Sequence, residues 1–180
     1  MVRSLNGEMT PRIAASGNPA PNATLKSARE LEIMREAGRT VAFAVRKAFE
    51  ALEQGITTGE LDSIVRRAIE SEGATPGFLG LYGFSATACI SINEEIVHGI
   101  PGDRVVQSGD LVTLDCGAIV DGYNSDYAVT QVAGPSTSEK DDLIDTTRAS
   151  LEMGIRAARP GNRVGDISNA IESHVLPKSY

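Results

Sequence analysis

The sequence predicts an α+β chain in which a helix-helix-sheet unit is completed once and then begun again, stopping at its helices. Three observations predict this: two stretches of helical periodicity before Gly73, a strict alternation on either side of Asp121-Gly122, and a second helical pattern after Ser138. The second pattern matches the first. Gly55-Ile56-Thr57-Thr58-Gly59-Glu60-Leu61-Asp62-Ser63-Ile64 aligns with Gly161-Asn162-Arg163-Val164-Gly165-Asp166-Ile167-Ser168-Asn169-Ala170 at a shift of 106 positions. Common capping chemistry, a Gly-x-x-x-Gly-acidic run before a helix, gives the same likeness without any duplication.

Residues 1–26 carry Pro11, Pro19 and Pro21 with no apolar period, which predicts a flexible tail ahead of a single domain over 27–180. From Ser27 to Glu53, Leu31, Met34, Gly38, Val41, Val45, Ala48, Phe49 and Leu52 recur at three- and four-residue steps, the stripe of an amphipathic helix that ends before Gly55. Thr58 is the expected N-cap of a second helix, with Leu61, Ile64, Val65, Ala68 and Ile69 inward and Gly73 at its stop. Thr87 to Val97, with Ile90, Ile92 and Ile96, reads as extended chain. A hairpin is expected over about 111–131. A helix from Ser138 to Ala158 follows, its inner face assigned to Leu143, Thr147, Leu151, Ile155 and Ala158.

The hairpin carries the strongest chemical signal. A two-residue loop at Val120-Asp121 or Asp121-Gly122 puts Asp115 and Asp126 on one face, directly opposite or diagonal, with Cβ atoms roughly 5 to 8 Å apart. Val112, Leu114, Cys116, Ala118 and Val120 form the apolar face, and Asp115 sits at the centre of the other among small or polar residues. Like charges so placed need solvent, a shared proton, a basic neighbour or a metal cation. On the residues alone, a solvated outer face serves as well as a metal site. His98, followed by Gly99 and Pro101, belongs at a strand end beside a turn. His174 lies near the end of the last helix, where a cation suits the dipole, and takes no catalytic role.

Composition narrows the function classes. The formal charge of -7 over 180 residues, four Tyr, four Phe and no Trp argue against direct nucleic-acid binding. No apolar run approaches the roughly 20 residues of a membrane span and no signal core is evident, so a cytoplasmic protein without membrane association is expected. Cys89 and Cys116 have neither zinc nor redox spacing and read as reduced, packed thiols.

The runs Asn93-Glu94-Glu95-Ile96-Val97-His98-Gly99-Ile100-Pro101, Gly109-Asp110, and Leu114-Asp115-Cys116-Gly117 with Asp126 resemble the type I methionine aminopeptidases. So do Gly73-Ala74-Thr75-Pro76-Gly77-Phe78-Leu79-Gly80 and Cys89-Ile90-Ser91-Ile92-Asn93, from residue 28 onward. The resemblance implies a pita-bread fold with a complete first half, and N-terminal methionine removal from peptides or nascent proteins at a two-metal site. It implies that Asp115 chelates one metal, that Asp126 bridges both, and that His98 contacts substrate and stabilises the tetrahedral intermediate. It also implies that Phe84 and Cys89 line the methionine pocket with Phe78 and Leu81 nearby, although ordinary core packing explains those four equally well. The divalent metal is not distinguished among cobalt, manganese, iron and zinc.

The family pattern also asks for a histidine and two glutamates as ligands, and a second substrate histidine, which the sequence lacks after His174. Asp166 and Glu172 read as capping or surface charges rather than replacements. The 180-residue chain is therefore expected to be truncated and inactive alone, and an uncovered sheet edge to favour self-association. The alternatives are a non-catalytic half-fold interaction module, for instance at the ribosome, and a relative of the proline-specific aminopeptidases.

Overall fold

A computed structural model describes residues 24–178, so most of the expected tail lies outside the described residues. Two compact units are present, one spanning Lys26–Lys140 and the other containing residues 141–178. In the first, α1 (Ala28–Glu50) starts at a capping box: Ser27 Oγ accepts from Glu30 N, while Glu30 accepts from Ser27 N. Helix α2 (Thr58–Ser71) repeats the device with Thr57 and Glu60, so the N-cap is Thr57 and the expected Thr58 is instead the first helical residue. Helix α1 stops three residues short of Glu53.

Four strands follow: β1 (Thr75–Pro76), β2 (Ala88–Ile92), β3 (Leu111–Val120) and β4 (Tyr123–Val132). All pair antiparallel with β3, which has β4 along one edge and β2, then β1, along the other. The helix-facing side of the sheet buries Ile90, Ile92, Val112, Leu114, Cys116 and Ala118 against Val41, Ala44, Val45 and Ala48 of α1 and Leu61, Val65 and Ile69 of α2. The apolar half of the expected alternation is thus the core. Two members of the α1 stripe are not: Leu31 and Met34 are 40% and 37% exposed, because they lie in the first turns, before the buried run that starts at Ala37.

Strand β2 is shorter than the extended chain expected to reach Val97. Asn93 takes a positive φ of 55° and its side chain bonds Asp110 and Leu111 N, which turns the chain out of the sheet and leaves Ile96 and Val97 exposed.

Helix α3 (Ser138–Ala157) enters the second unit, which also holds α4 (Val164–Val175). Asp166 accepts from Arg163 N, the counterpart of Glu60 accepting from Thr57 N 106 positions earlier, so Asp166 is a capping charge. The inner face of α3 differs from expectation. Thr146, Ser150 and Gly154 are its buried residues, while Leu151 and Ile155 are 56% and 64% exposed. Close helix packing explains this choice: a Cβ on Gly154 would stand 2.9 Å from Ile171 Cδ1 of α4, an approach only a small residue permits. Among the described residues no strand follows α4, and no helix is long and apolar enough to cross a membrane.

Candidate metal centre

The β3–β4 turn sets the geometry. Val120 pairs with Tyr123, and the two residues between, Asp121 and Gly122, have φ of 46° and 81°, the positive pair that a type I′ hairpin requires. This register pairs Gly117 with Asp126 and Asp115 with Ala128, so the two aspartates are diagonal neighbours on the face away from α1. On the other edge of β3, Cys89 pairs with Asp115 and joins the same face. Gly117 is needed beside them. A Cβ there would meet Ser125 O at 2.8 Å and the Phe78 ring at 3.0 Å, so the missing side chain lets Phe78 close over the sheet next to the carboxylates.

Burial pushes the Asp115 carboxyl up to about 6, aided by the adjacent Asp126 carboxyl and opposed by His98. Its Oδ1 is buried with no hydrogen-bond partner. A buried acceptor left unsatisfied is costly, and a hard divalent cation between Asp115 and Asp126 would satisfy it while neutralising the paired charges. By donor type and by that orphaned oxygen, the two aspartates fit a metal ion. Among the described residues no cluster of three or more His, Cys, Asp or Glu side chains is placed to hold one, so a cation here would take most of its shell from elsewhere.

The remaining expected residues divide. Cys89 is buried beside the carboxylates, and burial first, then the charges of Asp115 and Asp126, raise its thiol pKa and keep it protonated. Cys116, on the core face, is pushed up to about 12 chiefly by burial. Both cysteines are free, as expected. His98 lies beyond β2 in an exposed loop that returns along the strand, where Ile90 N donates to Gly99 O and Gly99 N to Ser91 Oγ. Phe84 is half-buried at the end of a tight turn in which Gly80 N donates to its carbonyl, and Leu81 within that turn is 52% exposed.

The sequence reading passed over Asp62. From α2, its Oδ1 accepts from Thr87 N and Ala88 N, pinning the start of β2 next to Cys89, and burial raises its pKa. A carboxylate on the polar side of a helix carries no sequence signal for such a distant partner.

The model of metallopeptidase family M24 matches residues 32–180. Methionine aminopeptidase 1 of Bacillus subtilis (strain 168) is 45% identical over 155 residues, covering 86% of this chain and 62% of its own length. The crystal structure of methionine aminopeptidase from Rickettsia prowazekii superposes with a TM-score of 0.85 at 30% identity, over 87% of this chain and 63% of that one. The prolidase from Pyrococcus furiosus, at 23% identity and a TM-score of 0.76 over 87% of this chain and 45% of its own, shares the fold. The chain thus spans a little under two thirds of the methionine aminopeptidases it resembles, and its architecture is that of the pita-bread fold. With the family model extending from within α1 to the last residue and the carboxylate pair in place, the chain belongs to metallopeptidase family M24.

Proposed function

We propose that the chain carries the two-aspartate part of a methionine aminopeptidase centre, which removes the N-terminal methionine of peptides or nascent proteins in the cytoplasm. The observation that carries this reading is the Asp115–Asp126 pair, with one buried oxygen unsatisfied and a shared face that also holds Cys89 and Phe78. Asp115 and Asp126 would hold the divalent metal, whose identity among cobalt, manganese, iron and zinc stays open. Bound there, such a cation supplies Lewis acidity and lowers the pKa of an attacking water.

The chain's own side chains would take part as follows. Ionised, Asp115 and Asp126 act purely as acceptors, and in that form they orient the donors brought to them. His98, exposed on the loop beside β2, is suited to donate a ring N–H to the oxygen that becomes negative on the scissile carbonyl. Cys89 and Phe78, joined by Phe84, offer soft and apolar surface that suits an unbranched thioether.

Two experiments test this. Manganese titrated into the purified 180-residue polypeptide should bind weakly, with Kd of about 10⁻⁴ to 10⁻³ M as for sites with few charged ligands, and Asp115→Asn or Asp126→Asn should abolish binding. Undiminished binding in both variants would remove the reading. The polypeptide alone should release little or no methionine from a Met-Ala peptide, since only two carboxylates are assembled among the described residues. Extended by the remaining part of the Bacillus subtilis relative, it should cleave Met-Ala in preference to Ala-Pro; the reverse preference would favour a proline-specific enzyme.

A further inference from the structure

The His98 imidazole is exposed, so its aim depends on the backbone that carries it. That backbone is unusual. His98 has a φ of 61°, a left-handed conformation that a side-chain-bearing residue keeps only where its surroundings enforce it. On one side, Gly99 is pressed against β2 so closely that a Cβ would stand 2.2 Å from Ile90 O. On the other side lies Glu95. One of its oxygens accepts from Ile92 N at 2.8 Å, and the other meets Arg104 Nη1 at 2.6 Å.

Arg104 stands on a fixed base. Its carbonyl accepts from Thr58 N at the start of α2, Gly102 exchanges hydrogen bonds with Thr58 and Gly59, and Val106 N donates to Ile56 O. Exposed ion pairs ordinarily contribute little because two mobile side chains must be ordered to form them. Glu95 differs, since its bond to Ile92 N has already ordered the carboxylate that Arg104 meets.

We propose that the Glu95–Arg104 ion pair is a latch that fastens the 93–101 loop to the base of α2 and thereby holds the His98 backbone in its left-handed conformation. Glu95 and Arg104 are positioning residues, acting through the backbone that carries His98. What His98 does once held rests on the function proposed above, but the latch itself does not.

The test uses the ¹⁵N-labelled 180-residue protein, read by amide hydrogen exchange and by the ring signals of its two histidines, His98 and His174. Glu95→Gln keeps the acceptor for Ile92 N but removes the charge. It should speed exchange at Ile90 and Gly99 roughly two- to fivefold, the population shift expected from losing one well-ordered ion pair, while Val45 and Val65 in the core stay unchanged. Arg104→Met should do the same, and Arg104→Lys should restore most of the protection. Raising salt should loosen the wild-type loop and leave the Glu95→Gln protein unaffected, because screening acts only where the charges remain. Unchanged exchange at Ile90 and Gly99 in Glu95→Gln, or equal behaviour of Arg104→Met and Arg104→Lys, would overturn the latch. Added manganese should broaden the His98 ring signal, and do so less once the latch is cut. Should manganese spare His98 while the exchange results hold, the latch stands and the metal reading fails.

Discussion

Asp115 is held in a setting that burdens the fold when its carboxyl is ionised. Its carboxyl titrates near 6 when folded, against an ordinary value of 3.8, so the folded protein binds the proton more tightly than the unfolded chain. This group therefore stabilises fully below about 3.8 and loses that contribution as pH rises through 6. In chelator, Asp115→Asn should raise the thermal midpoint at pH 7.5 relative to wild type, and the difference should vanish toward pH 4; a constant difference across that range would show the coupling to be absent. A neighbouring residue works through shape alone. Gly99→Ala places a methyl into Ile90 O and should lower stability by roughly 1 to 3 kcal/mol in urea unfolding, as overpacking does. Asp115 and Asp126 were legible in the sequence because hairpin parity needs only local spacing. Asp62, Glu95 and Arg104 were not, because each acts through a partner set by tertiary packing.

Elements announce themselves through their ends. Thr57 and Glu60 close α2 reciprocally, with Glu60 accepting from Thr57 N at 2.8 Å, and Thr57→Ala should cost about 1 kcal/mol of stability by urea unfolding. The same signals made α1, α2, β3, β4 and α3 readable to within about three residues. Two elements resisted. Strand β2 was overestimated because Ile96 and Val97 continue its apolar character, whereas the turn at Asn93 depends on an Asp110 that lies 17 residues away. The buried face of α3 was misassigned because hydrophobicity marks Leu151 and Ile155, while the close approach of α4 selects Gly154.

For the molecule as a whole, one core carries the first unit, and its centre is β3. Leu114, fully buried between the sheet and the helices, should cost about 2 to 5 kcal/mol when cut to alanine, and lose manganese binding in proportion to the unfolded fraction. Strand β4 pairs only with β3 among the described residues, leaving ten residues of outer edge without a strand partner. Sedimentation should show association that grows with concentration and weakens in Gln131→Lys, since an edge lysine opposes strand pairing. The tip of this hairpin constrains more than its own conformation. With two residues at Asp121-Gly122, every odd-numbered position of β3 shares a face with the even-numbered positions of β4. If one residue were added and the tip stayed a two-residue loop, the register would slip by one and invert that parity, turning Asp126 toward α1 and Ser125 toward Asp115, although no residue of either strand had changed. A turn lengthened by one residue therefore keeps both carboxylates together only by opening into a three-residue loop over the same Val120–Tyr123 pair, or by placing a bulge farther along the strand.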